Sequence, residues 1–206
     1  MTTSGRFTDA IRRFDAANAE DPSRETVDGR ERPKALLYAE RLSAMLARFA
    51  PGASETLLLA ARCQHLQRWK IPRSEYPMTR AGYHQWRSRL RDFHGELARA
   101  ILVDAGYDDA MIARVASLIR KEALKSDAEA QALEDVVALV FLESYLAAFV
   151  AAHGEYDAAR LADIVTKTAR KMSPRGREAA LSQIQLPREL AEPVRNAIGG
   201  VPPGSR

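Results

Sequence analysis

Apolar positions recur along most of this chain at spacings of three and four residues, the period of an amphipathic helix. Phe7, Ile11 and Phe14 begin the pattern and predict a short first helix. Asn18 to Arg32 is polar, holds Pro22 and Gly29, and predicts a loop that is long for a folded domain. Pro33 suits the first turn of a second helix reaching about Phe49, with Tyr38, Leu42, Met45 and Phe49 on one face. Pro51-Gly52 ends it. Ser54 then predicts the N-cap of a third helix through about Trp69, on which Leu58, Ala61 and His65 share a face. Ile71 to Pro77 holds two prolines and predicts a loop.

From Thr79 to about Ala105 a long helix is predicted, with Tyr83, Trp86, Leu90, His94, Leu97 and Ile101 in its stripe and Gly106 at its end. Asp108 caps the next helix, whose face carries Ile112, Val115, Ile119 and then Glu122. Asp127 caps another that runs to Ala152, with Ala132, Asp135, Leu139, Leu142 and Leu146 turned inward. Asp157 starts a helix holding Leu161, Ile164 and Val165, Ser173-Pro174 opens a short one, and Pro187 opens a last one. The GGVPPGSR tail is expected to be disordered. No alternating pattern competes with the helical one. The expectation is an all-α fold: an N-terminal helix and loop (1–32), a helical core (33–156), a helical C-terminal extension (157–198) and a tail (199–206).

Composition agrees with helix, since the 46% of hydrophobic residues are mostly Ala and Leu and only 11 of the 206 residues are Gly. The single cysteine, Cys63, excludes an internal disulfide framework and fits a reducing compartment. No base is placed against it, so it is expected in the core rather than as a nucleophile. MTTSGRFTDAIRR has no apolar leader, and the unbroken apolar run Val136 to Leu142 is short for a bilayer. The expectation is therefore a soluble cytoplasmic protein with no membrane partner. There is no Gly-rich phosphate loop and no G-x-S-x-G elbow.

Charge is concentrated in one stretch. Gln64 to Arg99 holds eight Lys or Arg against three Asp or Glu, a local excess of five where the whole chain has an excess of four. The same stretch carries both tryptophans and three of the four histidines. Arginine interleaved with aromatics suits phosphate or nucleotide recognition. Arg68, Arg73, Arg80 and Arg87 are the candidate phosphate contacts, Trp69, Tyr76 or Trp86 the candidate stacking surfaces, and Tyr83 a further substrate-binding candidate. The competing reading is a solvated helix face with a few core aromatics.

Polar residues on apolar faces carry a second signal. Tyr38, His65, His94, Glu122 and Asp135 fall at inward positions on five different helices. Burying an ionisable group is costly unless it is paired or bound to metal. If these residues converge, two imidazoles and one or two carboxylates suit a divalent Mn, Fe, Co or Zn ion. The competing reading is a buried hydrogen-bond network that only specifies packing.

From about Lys34 to Glu143 the chain resembles the HD-domain superfamily of metal-dependent phosphohydrolases. ASETLLLAARCQHLQRW is similar to the helix that ends in that superfamily's His-Asp pair. FHGELARAILVDAGYDD through LEDVVAL is similar to its histidine, glycine-turn and distal-aspartate region. The resemblance implies an HD-like helical bundle with metal ligands at His65, His94 and Asp135. Three positions depart from the pattern: Tyr38 stands at the first histidine, Gln64-His65 replaces the His-Asp pair, and Lys121-Glu122 stands where many relatives carry histidines. The strings LLYA, QH, RWKIPR, YPMTRAGY, FH and LEDVVALVFLE more closely resemble an uncharacterised bacterial and fungal family known only as a domain of unknown function, over Arg6 to about Leu181.

Three functions follow as expectations. The first is a metal-dependent phosphohydrolase acting on a nucleotide or small phosphate ester, with Glu122 or Glu134 moving a proton and Lys121 holding a phosphate. The second is a catalytically degenerate HD-like protein that binds a nucleotide or an RNA element through residues 64–99. The third is a helical interaction module whose histidines and aspartate are core hydrogen-bond partners.

Overall fold

The computed structural model describes residues 5–124, 126–155 and 157–202. The described chain is mostly helical, as expected, and divides into two compact units. The first comprises Met1–Ala47 and Pro51–Ala123, the second Arg48–Ala50 and Leu124–Arg206. The core expected over 33–156 is thus shared between two units.

The first unit contains α1 (Gly5–Ala19), α2 (Lys34–Phe49, to Ala47), α3 (Glu55–Cys63), α4 (Arg80–Asp104) and α5 (Asp109–Arg120). Helix α5 packs on both α4 and α3, and α1 packs on α3 and α4. Phe14, Leu42, Leu59, Leu66 and Leu102 are fully buried. The helix starts follow the capping signals. Ser54, Thr79 and Asp108 each accept a hydrogen bond from the backbone N–H three residues on, satisfying a first-turn donor.

Three departures from the sequence reading bear on the site. The polar stretch expected as a loop holds a hairpin, β1 (Arg24–Val27) against β2 (Arg30–Pro33), antiparallel with Val27 opposite Arg30. Asp28 and Gly29 both have positive φ, 50° and 74°, as a tight two-residue hairpin turn demands. The strands are too short and polar to show an alternating pattern. Second, α3 ends at Cys63 rather than near Trp69. The chain then turns through Gln67, at φ 47°, into a short 3-10 segment Arg68–Lys70. Asn18 Oδ1 accepts the Gln67 N–H at 3.0 Å, so the end of α1 holds this turn. Third, α5 stops at Arg120 because Lys121 takes φ 60°. Helical spacing therefore does not extend to Glu122, which is exposed.

The second unit contains α6 (Ala128–Val140), which continues through a π-helical turn (Phe141–Tyr145) into α7 (Leu146–Ala152), followed by α8 (Ala158–Ala169), α9 (Pro174–Ser182) and α10 (Arg188–Gly199). Helix α10 packs on α8 and α9, and α6 on α9. The run Ala128–Ala152 is long and apolar enough to cross a membrane by length and composition. Unbroken-run counting missed this because Glu134, Asp135 and Glu143 interrupt it. Asp135, Leu139, Leu142 and Leu146 along it are buried, the pattern of a core helix. The tail expected from residue 199 is partly ordered: Gly199 ends α10 and Val201 is buried. Residues 203–206 lie outside the described residues.

Candidate functional site

Three of the five inward polar residues meet in the first unit. Tyr38 of α2 stacks on His65, with centroids 4.7 Å apart and planes 13° from parallel. His65, two residues past α3, lies 5.6 Å from His94 of α4. His94 is only 2% exposed, and its Nδ1 lies 2.8 Å from the Leu66 carbonyl oxygen. A carbonyl only accepts, so Nδ1 carries the proton and Nε2 presents a lone pair. That Nε2 is buried with no partner, and so is Oε1 of Gln64, a residue 3% exposed.

These atoms belong to residues that line a small pocket. Gln64 and His65 enter from the end of α3, and Arg68 from the turn that Asn18 holds. Helix α4 contributes Arg87, Leu90, Arg91 and His94, which recur at three- and four-residue spacing on one face. Ile119 and Lys121 close the far side from the end of α5. The enclosed space is about 10 Å³, room for about one water molecule behind an open mouth. Two of its flanks are non-glycine residues in the left-handed region, Gln67 beside Arg68 and Lys121 itself. Such strain collects at functional sites and needs surrounding structure to hold it.

The electrostatics are one-sided. Arg68, Arg87, Arg91 and Lys121 are the four charged residues lining the pocket, and all are cationic. Among the described residues no ion pair joins Arg68, Arg87 or Arg91 to a carboxylate. The Arg68 guanidinium stacks on the Trp86 ring at 4.7 Å, and its pKa is lowered by burial and then by Arg87. Both histidines are held neutral at physiological pH. Burial lowers His94 to about 4. Burial first, then Arg68 and the neighbouring His94, hold His65 well below the ordinary imidazole range. The pocket thus joins half-buried positive charge to two buried acceptor atoms.

A family model described as a domain of unknown function, DUF4202, matches residues 8–194. The chain belongs to this family. No curated protein and no solved structure matches it. The family description assigns this DUF4202 chain no activity.

Arg73 does not line the pocket: it donates to the Tyr76 and Pro77 carbonyls at 2.9 and 2.8 Å and ties down the loop before α4. Trp86 donates its indole N–H to the Ile71 carbonyl at 2.9 Å and serves the same loop. Tyr76 lies half-buried in that loop and Trp69 half-buried in the 3-10 turn, whereas Arg80 and Tyr83 are exposed on α4. Asp135 and Glu134 belong to the second unit. Asp135 accepts from the Ser173 N–H and Oγ at 2.7 and 2.6 Å and from Gln131 Nε2 at 3.0 Å, so its carboxylate anchors the start of α9. Among the described residues no group of three or more His, Cys, Asp or Glu is arranged to hold a metal ion. The pocket lining offers two imidazoles and an amide oxygen and no carboxylate, and Asp135 lies in the second unit. Cys63 is buried and its thiol is pushed up by burial, as expected of a core residue.

Two pocket residues escaped the sequence reading. Gln64 was visible only as the residue in place of a histidine. Arg91 sits one turn beyond Arg87, and that i, i+4 spacing was its signal.

Proposed function

We propose that this protein binds a phosphate ester in the arginine-lined pocket, on an HD-like scaffold that works as a binding module. The observation that supports this most is the gathering of Arg68, Arg87, Arg91 and Lys121 around one small opening with no carboxylate lining it. Arg68, Arg87 and Lys121 are half-buried and Arg91 is exposed, and like charges gathered at one opening repel. A phosphate supplies counter-charge and accepts charge-assisted hydrogen bonds from the guanidinium forks. A nucleotide fits this reading with its phosphate at the mouth of the pocket and its base outside, against the exposed ring of Tyr83. The test is isothermal titration of wild type and Arg87→Gln with inorganic phosphate and with AMP. Wild type should bind both with an affinity that falls as salt rises, because exposed charges are screened. Arg87→Gln should bind at least about tenfold more weakly, the scale of one charged hydrogen bond. Wild type that binds neither ligand removes the reading.

A second reading, the metal-dependent phosphohydrolase, draws on one observation. His94 donates Nδ1–H to a backbone carbonyl and presents a bare Nε2, the second-shell arrangement of metal-bound histidines. A metal there would supply Lewis-acid activation of a phosphoryl group. His65 and His94 would contribute nitrogen ligands, and Lys121 would meet the phosphate. On this reading, protein loaded with Mn, Fe, Co or Zn and then desalted retains a stoichiometric ion that His94→Gln loses. A wild type that retains none leaves the binding reading alone.

A further inference from the structure

We propose that the face of α4 beside this pocket is a surface for single-stranded nucleic acid, with backbone phosphates on its arginines and a base on Tyr83. The inference rests on the phosphate reading and names the polymer that carries the phosphate.

Arg80, His84, Arg87 and Arg91 recur along α4 at four-, three- and four-residue spacing, so one face of the helix carries them all. The row spans about three turns, or about 16 Å. The acids of the same helix, Asp92, Glu96 and Asp104, lie roughly 110° or more around its axis from the centre of the row. Arg99, outside the row, pairs with Asp109 at 3.7 Å. Among the described residues Arg80, Arg87 and Arg91 pair with no carboxylate. The first turn of α4 holds no acid either, although the helix dipole favours negative charge there. Arg68, stacked on Trp86, and Lys121 widen the row into a patch at the pocket mouth.

The space behind that mouth holds about one water molecule, so a ligand is met on the surface rather than engulfed. A single phosphate covers one turn of a row about three turns long. A nucleic-acid strand carries one phosphate per nucleotide and can follow the row from Arg91 to Arg80. An acidic peptide run or an anionic membrane matches the charge but brings no flat ring, whereas every base does. Tyr83 is 45% exposed and stands one turn before Arg87. Its ring is braced by Trp86 and His84, each 5.9 Å away. Met78, 82% exposed, adds apolar surface at the same end of the helix. An exposed aromatic ring beside a basic track is the arrangement that holds single strands without sequence preference.

The experiment is fluorescence anisotropy of a labelled oligouridylate of about 12 nucleotides, within the span of single-strand sites. Wild type should bind it with a slope of about −2 in log affinity against log salt, the counterion release of about three phosphate contacts. Arg80→Ser should weaken binding and flatten that slope by about 0.7. Tyr83→Ala should weaken binding at least about fivefold and leave the slope unchanged, because stacking releases no counterions. Tyr83→Phe keeps the ring and should bind as wild type does. Arg80 and Tyr83 lie outside the pocket lining, so inorganic phosphate should bind the Arg80→Ser and Tyr83→Ala variants as it binds wild type. Both side chains are exposed, and circular dichroism checks that each variant is folded. Oligouridylate binding that Tyr83→Ala leaves intact would overturn the inference while the phosphate reading stands. So would polyglutamate or phosphatidylserine vesicles binding as tightly as the oligonucleotide, or phosphate binding without oligouridylate binding. Failure of both phosphate and oligouridylate would overturn both readings.

Discussion

His94 is the residue at which burial and hydrogen bonding act together most clearly. Its ring is nearly inaccessible, its Nδ1–H is held by a carbonyl, and its pKa is lowered to about 4. An unfolded imidazole titrates near 6.5. Between those values the unfolded chain binds the extra proton, so stability is full above pH 6.5 and is lost as pH falls toward 4. For His94 the loss between pH 7 and pH 5 is about 2 kcal/mol. His65 acts in the same direction. Asp135, whose carboxyl is raised chiefly by burial, acts in the opposite one. Comparing urea unfolding of wild type and His94→Gln at both pH values isolates the imidazole. Wild type should lose more stability on acidification than the variant, and equal losses would show that His94 is not held neutral. Helical spacing alone marked Tyr38, His65 and His94 as inward residues. It marked Asp135 as buried as well, but could not reveal Ser173 as its partner, 38 residues further on.

At the scale of elements, the start of α4 depends on close backbone approach. The Pro77 carbonyl lies where a Cβ on Gly82 would stand, and the Gly82 N–H donates to the Thr79 cap at 3.1 Å. Arg73 and Trp86 fasten the same loop through its carbonyls. A side chain at position 82 must push that backbone away. Gly82→Ala should therefore destabilise the protein by about 1–3 kcal/mol, despite alanine's better helix propensity. Thermal unfolding should show a lower midpoint, and proteolysis should cut faster within residues 71–79. A midpoint equal to or above wild type would contradict the packing. The caps Ser54, Asp108, Asp127, Asp157 and Ser173 were legible because each needs only its own next turn. The ends of α3 and α5 were not. Both stop at or near residues in left-handed conformations, Gln67 and Lys121, which no local preference demands. Gln67 is held there by Asn18, far away in sequence.

At the scale of the whole molecule, the overall charge excess of four describes the protein poorly. What matters is that cations from the turn after α3, from α4 and from the end of α5 reach one opening. The sequence by itself determined the mostly helical class, most helix starts, the inward faces and the density of arginine between Gln64 and Arg99. These follow from spacing and local hydrogen bonding, which need only near neighbours. Tertiary structure decided where α3 and α5 end, which arginines face the pocket and which tie down a loop. It also put Asp135 at the head of α9. Those choices depend on contacts between residues tens of positions apart, such as Asn18 with Gln67 and Asp135 with Ser173. A one-dimensional pattern carries no record of such pairings.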